Sequence, residues 1–133
     1  MSELRHIRPG GLANNPAYTH VVAARGAETV FVSGQVALDA DGQLVGAGDL
    51  GAQTTQVMRN LETALAAAGA TFADVTKITT FVVDYQPGHR AVIAEARGQF
   101  LPSANPPAST LVGVTALATP DFLIEIEATA VVG

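Results

Sequence analysis

The polar side chains of one predicted strand could carry out acid–base chemistry. Between Leu123 and Val131 apolar and polar residues alternate, so that Glu125 and Glu127 share one face. The opposite face is apolar and is expected to enter the core: Ile124, Ile126, Ala128 and Ala130. A carboxylate whose pKa is raised by burial can pass a proton between water and a substrate. From the residues alone, however, two such glutamates are more often the solvated face of an amphipathic strand.

A second apolar run precedes this strand, and a serine stands directly before it. Ser109 is followed by the β-branched stretch 110–114, which Gly113 interrupts. That combination favours a strand whose backbone is approached closely by another group. Thr119-Pro120-Asp121 is a turn signal between the two runs. We therefore predict a hairpin over residues 106–132, with Ser109 and Glu125 as its chemically interesting residues.

The remaining candidate residues give weaker signals. Tyr18 is as consistent with a half-buried aromatic as with a place in a cleft. The chain has no cysteine, and its three histidines are not at metal-ligand spacing, so His20 and His89 are interpreted as surface or hydrogen-bonded residues and no metal site is expected. No GxxxxGK phosphate-binding loop occurs, and we expect no nucleotide or other cofactor.

Length and charge narrow the class of protein. With 133 residues, the chain is predicted to form a single domain over 1–133. Twelve acidic residues against seven basic ones make nucleic acid an unlikely partner, because nucleic-acid affinity depends on many phosphate contacts. The N-terminus lacks a signal-peptide core, and no apolar run is long enough to cross a membrane. These features predict a soluble, cytoplasmic protein with no membrane partner. An apolar fraction of 48% with only 14% charged residues suggests an oligomer interface.

Hydrophobic periodicity and turn signals predict the elements that must position these residues. In chain order they are a loop up to residue 17, a hairpin of strands over 18–24 and 29–33, a helix over 51–68 capped by Asp49, a strand over 75–83, a helix over 89–101 and the 106–132 hairpin. The first helix has an apolar stripe: Val57, Leu61, Ala64, Leu65 and Ala68. Its other positions are polar, including Gln53, so we expect it to lie on a sheet. The predicted class is α+β, with helices on one face of the sheet.

Four motifs resemble the RidA family, also called the YjgF/YER057c/UK114 or endoribonuclease L-PSP family, along nearly the whole chain. They are Asn15-Pro16-Ala17-Tyr18, then Val32-Ser33-Gly34-Gln35, then Asn60-Leu61 with the following Ala-Gly-Ala and the strand Val75–Val82, and finally Pro107-Ala108 with Ile124-Glu125-Ile126-Glu127-Ala128. The resemblance implies a chorismate-mutase-like fold with a mixed sheet. It also implies a homotrimer with an inner barrel and ligand clefts between subunits.

The resemblance further implies a reaction and a set of site residues. Active members hydrolyse reactive enamines and imines to a keto acid and ammonia without a cofactor. Carried over by position, Glu125 and Tyr18 are the expected catalytic residues, and Gly34, Ser109 and Leu111 the expected ligand-binding residues. The implied partner is a small imine, enamine or keto acid.

This chain departs from the family pattern at Ser109. Active members have an arginine just after Pro-Ala that binds the substrate carboxylate, and a serine offers only a neutral hydroxyl there. Arg90 or Arg97 of the second helix could supply the cation, although helix arginines are more often solvated. Three functions stay open. They are a deaminase of altered substrate range, a non-catalytic metabolite-binding or regulatory trimer and, less favoured by the acidic charge, an endoribonuclease or translation inhibitor.

Overall fold

The computed structural model describes residues Met1–Gly133. It contains six strands, which form two sheets, and two α-helices. The elements are β1 (Glu3–Ile7), β2 (Val21–Arg25), β3 (Glu28–Gln35), α1 (Leu50–Ala67), β4 (Val75–Val83), α2 (His89–Gly98), β5 (Ala108–Val114) and β6 (Ile124–Val132). Strands β1 and β2 form a two-stranded sheet, and the other four form a sheet in the order β3-β6-β4-β5. Both helices lie on one face of the larger sheet, which confirms the predicted α+β class. No helix is long and apolar enough to span a bilayer.

The predicted hairpin of β5 and β6 is wrong, because β4 lies between these two strands. Strand β5 runs parallel to β4, from Lys77 opposite Ala108 to Val83 opposite Val114, whereas β6 is antiparallel to both β4 and β3. The helix α2 connects β4 to β5, and such a helical crossover returns the chain parallel to the strand it left. The turn signal at Thr119-Pro120-Asp121 therefore belongs to a connection that passes over β4 to reach β6.

The N-terminal third also differs from the prediction. Residues Glu3–Ile7 form a strand where a loop is predicted, and this strand pairs antiparallel with β2. The expected hairpin of the strands over 18–24 and 29–33 does not form, since β3 pairs with β6 in the other sheet. Gly26 and Ala27 carry the chain from one sheet to the other instead of closing a two-residue turn. Strand pairing of this kind depends on distant partners that local alternation does not identify.

The first helix begins and ends close to its predicted limits. The Asp49 carboxylate accepts a hydrogen bond from the Ala52 N–H at 3.0 Å, and Gly69 follows the helix with φ +75°. Its predicted stripe is buried at Val57, Leu61 and Leu65. The buried face is broader than the predicted stripe, because three further side chains are fully buried: Gln53, Thr54 and Met58.

Gln53 is buried because it joins α1 to the connection that precedes β6. Its amide nitrogen donates to the carbonyls of Gly46 at 3.2 Å and Asp121 at 3.0 Å, and its amide oxygen accepts from the Leu123 N–H at 2.9 Å. These bonds satisfy backbone groups that would otherwise be buried without partners. The expectation that Gln53 lies on the solvated side of the helix is therefore wrong.

The two faces of the larger sheet have opposite character. The predicted inner face of β6 is buried under the helices, at Ile124, Ile126, Ala128 and Ala130. Neither helix lies on the other face, here called the uncovered face, on which Phe31 is 80% exposed and Val112 is 38% exposed. Glu125, Glu127 and Thr129 also project from that uncovered face, since they alternate with the buried residues of β6.

Candidate functional site

A cleft of about 730 Å³ opens beside α2 and β5. Its apolar wall comes from α2, the following loop and β5, including Ile93, Leu101 and Leu111. Its polar groups are two tyrosines, two arginines and two serines: Tyr18, Tyr85, Arg90, Arg97, Ser103 and Ser109. Concave sites of this size with an apolar wall and a few polar groups are typical of small-molecule binding.

Tyr18 reaches the cleft because its loop is tied to the turn that precedes β5. The buried Thr19 hydroxyl donates to the Pro106 carbonyl at 2.6 Å, and the Thr19 N–H donates to the Pro107 carbonyl at 3.2 Å. Arg8 donates to the Tyr18 carbonyl at 3.1 Å. The Tyr18 ring packs edge-to-face on His20, with the ring centroids 5.1 Å apart. These contacts fix the tyrosine at the cleft wall.

The register of β5 turns Ser109 and Leu111 toward the helices. Ser109 lies opposite Ile78 and Leu111 opposite Thr80, and both β4 partners are fully buried under the helices. Gly113 continues the same face, and a Cβ placed there would lie 3.0 Å from the Cβ of Tyr85. The close approach predicted at Gly113 is thus made by Tyr85, which lines the cleft.

Arg97 is the most unusual side chain of the cleft. It projects from α2 and donates to two hydroxyls, Thr80 Oγ1 at 3.5 Å and Ser109 Oγ at 3.4 Å. Its Nε is buried without a hydrogen-bond partner. Burial lowers the pKa of the Arg97 guanidinium to about 10, because a charged group loses hydration inside the protein.

The position of Arg97 in the sequence indicates that its side chain is partly buried, although a charged residue is ordinarily expected in solvent. Arg97 comes four residues after Ile93 and directly after Ala96, which are both buried. A residue at that spacing lies at the border of the apolar stripe of α2. Arg90, the other candidate cation, begins the same helix and is exposed. The structure therefore separates two arginines that the sequence treats as equivalent.

Gly34 and Glu125 lie together, away from this cleft. A Cβ at Gly34 would overlap the Glu125 carboxylate and would lie 2.7 Å from its Cδ, so only glycine permits this contact. Glu125 lies opposite Phe81, which lies opposite Val112, on the uncovered face of the sheet. Because paired residues share a face, Glu125 is on the side of the sheet opposite to Ser109 and Leu111. The five candidate residues thus form two groups that one chain does not bring together.

The histidines singled out in the sequence have local contacts. The His20 Nε2 lies 2.7 Å from the Ala13 carbonyl oxygen, and the His89 Nδ1 accepts from the Gln86 N–H at 3.1 Å. No group of three histidine, aspartate or glutamate side chains is arranged to hold a metal ion.

Comparisons with known proteins agree with the fold. The family model described as endoribonuclease L-PSP matches residues 12–132. Protein DfrA of Myxococcus xanthus is 37% identical over 114 residues, which are 86% of this chain and 84% of DfrA. The crystal structure of the Rid family protein YyfB from Yersinia pestis, a protein of unknown function, is 45% identical with a TM-score of 0.92, over 96% of this chain and 98% of YyfB. RidA from the Antarctic bacterium Psychrobacter sp. is 27% identical with a TM-score of 0.70, over 96% of this chain and 98% of that one. The chain therefore belongs to the endoribonuclease L-PSP family, that is, the RidA or YjgF/YER057c/UK114 family.

Proposed function

We propose that this protein is a cofactor-independent deaminase that hydrolyses a small imine or enamine to a keto compound and ammonia. The observation that carries the proposal is the division of the candidate residues into two groups on opposite sides of one sheet. One group, Tyr18, Ser109 and Leu111, lines a ligand-sized cleft, and the other, Gly34 with Glu125, lies on an uncovered face. A second copy of the chain can unite them.

The proposed assembly is the homotrimer with an inner barrel that family membership implies. The uncovered face of the sheet, with Phe31 and Val112 exposed, is the surface that such a barrel would bury. Closing the barrel would bring the β3 edge of one sheet next to the β5 edge of a neighbouring copy, and so Glu125 of one subunit close to Tyr18 of the next. Each trimer would then hold three equivalent clefts at its subunit boundaries.

The proposed reaction adds water across the carbon–nitrogen double bond. Glu125 takes a proton from the attacking water, the oxygen bonds to the imine carbon, and a proton is delivered to the nitrogen. The carbon–nitrogen bond of the resulting carbinolamine then breaks, so that one imine and one water give one carbonyl compound and one ammonia. In this proposal the Tyr18 hydroxyl, at the wall of the cleft, donates a hydrogen bond to the substrate or to the attacking water.

The test is ammonia release from a panel of imines generated from amino acids. Glu125→Gln keeps the shape of the side chain but removes the base, and we expect it to lower kcat about 100-fold or more. Glu62→Gln is the matched control, since Glu62 is exposed on α1, outside the cleft and the uncovered face, and undergoes the same change of charge. The proposal fails if the wild-type protein turns over no imine of the panel, or if Glu125→Gln retains full activity.

Ser109 favours a second candidate function, a trimer that binds a metabolite without turning it over. The cleft is retained while the family's carboxylate-binding arginine is absent from its position on β5. Following ligand binding and ammonia in one sample distinguishes the two functions. Binding of a keto acid with no ammonia from any imine would favour the non-catalytic protein. We expect no RNA cleavage from either, because the net charge is −5.

A further inference from the structure

We propose that Arg97 is the anion anchor of the cleft and that the ligand it binds is a small carboxylate with an apolar side chain. This inference deepens the proposed function and rests on it, since it names the residue of the same cleft that binds the carboxylate of the keto or imino acid that family membership implies. It places the cation on α2, at a position where the family motif provides none. The argument depends on the contacts of Arg97, on the character of the cleft wall and on the place of Ser109.

The contacts of Arg97 leave its charge uncompensated. Its partners are the neutral hydroxyls of Thr80 and Ser109, at 3.5 and 3.4 Å, and its Nε has no partner. Buried guanidinium groups are ordinarily paired with a carboxylate or another anion, because hydration is lost on burial. An anion in the cleft would supply this missing partner.

The geometry of a guanidinium selects the kind of anion. Its planar array of donors matches the two oxygens of a carboxylate, which it binds through parallel hydrogen bonds. Thr80 and Ser109 keep their own hydroxyl protons free when they accept from Arg97, so the group holds further donors beside the bound oxygens. A single buried cation compensates a monoanion such as a carboxylate better than a doubly charged phosphate.

The wall of the cleft determines the rest of the ligand. Ile93, Leu101 and Leu111 line it together with three prolines and two alanines, so the space next to Arg97 is largely apolar. The second cation, Arg90, is exposed and lies two helical turns from Arg97. A 2-oxo or 2-imino acid with a short aliphatic side chain therefore fits, with its carboxylate at Arg97.

Ser109 acquires a role in this arrangement. Its hydroxyl accepts a hydrogen bond from Arg97 at 3.4 Å, so the short side chain leaves room for the arginine of α2 and holds its guanidinium. The cation thus enters the cleft from the helix instead of from β5. Ser109 is a positioning residue, and the departure from the family motif is compensated by a neighbour in space.

The test measures binding apart from turnover, with 2-oxobutyrate as the probe and isothermal titration calorimetry as the readout. Replacing the charge-assisted bonds by an apolar side chain in Arg97→Met should weaken binding about 10- to 100-fold. Arg97→Lys should bind with intermediate affinity, because it keeps the charge and loses the planar array of donors. Arg59→Met is the matched control, since Arg59 is exposed on α1 and outside the cleft. Uncharged 2-oxobutanamide should bind the wild type and Arg97→Met alike.

Three results would overturn the inference. They are wild-type affinity for 2-oxobutyrate in Arg97→Met, no measurable binding by the wild type, or a loss of binding in Arg90→Met that Arg97→Met does not show. The proposed deaminase is judged separately by ammonia release. If binding depends on Arg97 but no imine releases ammonia, the role of Arg97 is supported and the deaminase function is contradicted. If ammonia release is unaffected by Arg97→Met, the deaminase function is supported and the role of Arg97 is contradicted.

Discussion

Replacing Arg97 by methionine should stabilise the ligand-free protein. The pKa of Arg97 falls to about 10 on burial, which corresponds to about 3 kcal/mol against keeping the charged group in the folded protein. Residual solvent contact of the side chain reduces this to about 2 kcal/mol. Two long hydrogen bonds, to Thr80 and Ser109, are lost and offset about 1 kcal/mol. Methionine retains the apolar contacts of the arginine stem.

The expected net gain is about 1 kcal/mol in the free energy of unfolding, or a rise in Tm of about 3 °C. Differential scanning calorimetry at one fixed protein concentration measures it, with Arg59→Met as the exposed control. The gain should hold below pH 10, where Arg97 is charged in both folded and unfolded states. It should shrink as the pH rises through about 10, because the folded wild type then loses the buried charge before the unfolded chain does. A lower Tm for Arg97→Met at neutral pH would refute this reasoning, since it would mean that the arginine is paired in the assembled protein.

Three further predictions concern other parts of the molecule. Gly34→Ala should displace the Glu125 carboxylate and lower ammonia release. The free energy of unfolding should change by less than about 1 kcal/mol, because the displaced group is the end of a flexible side chain. Unchanged turnover would contradict the role of this contact. Gln53→Leu should lower the free energy of unfolding by about 2–3 kcal/mol, measured in urea, because buried backbone groups lose their partners. The control is Gln99→Leu at an exposed position, and equal effects of the two substitutions would contradict the account of Gln53. Phe31→Asp should reduce the mass found by light scattering from three times 13.6 kDa to 13.6 kDa, and an intact trimer would contradict the placement of the interface on this face.

The sequence predicts those parts of the fold that depend on residues close to one another in the chain. The cap at Asp49, the stop at Gly69 and the stripe through Val57 and Leu61 all depend on residues within a few positions of one another. The alternation in β6 likewise identifies which side chains are buried. These patterns determine the helices, the strand faces and the α+β class, and the resemblance to a family supplies the particular fold.

The arrangement of the strands does not follow from local pattern. Strand β4 separates β5 from β6, and β2 leaves β3 to pair with β1, because the backbone groups of each strand are satisfied by partners distant in sequence. This arrangement determines the site, since it places Ser109 and Glu125 on opposite faces of one sheet.

Two polar residues of the helices show a further limit of sequence reasoning. Gln53 and Arg97 are both interpreted as solvated from their residue types, and both have buried polar atoms in the structure. Gln53 is buried because it satisfies backbone groups of a loop 68 residues away. Arg97 is buried against the sheet, where it donates to hydroxyls of β4 and β5. Neither partner can be inferred from the helix that carries the residue.

Complementation between subunits tests the central claim most directly, namely that each cleft joins Arg97 of one copy to Glu125 of another. Arg97→Met and Glu125→Gln chains, each expected to release little ammonia at a substrate concentration below the KM of Arg97→Met, are unfolded together in equal amounts, refolded, and assayed for ammonia release. A cleft shared between subunits predicts that random mixing restores about one quarter of the wild-type activity, because that fraction of clefts receives both intact residues. No recovery in mixed assemblies of confirmed composition would contradict the claim.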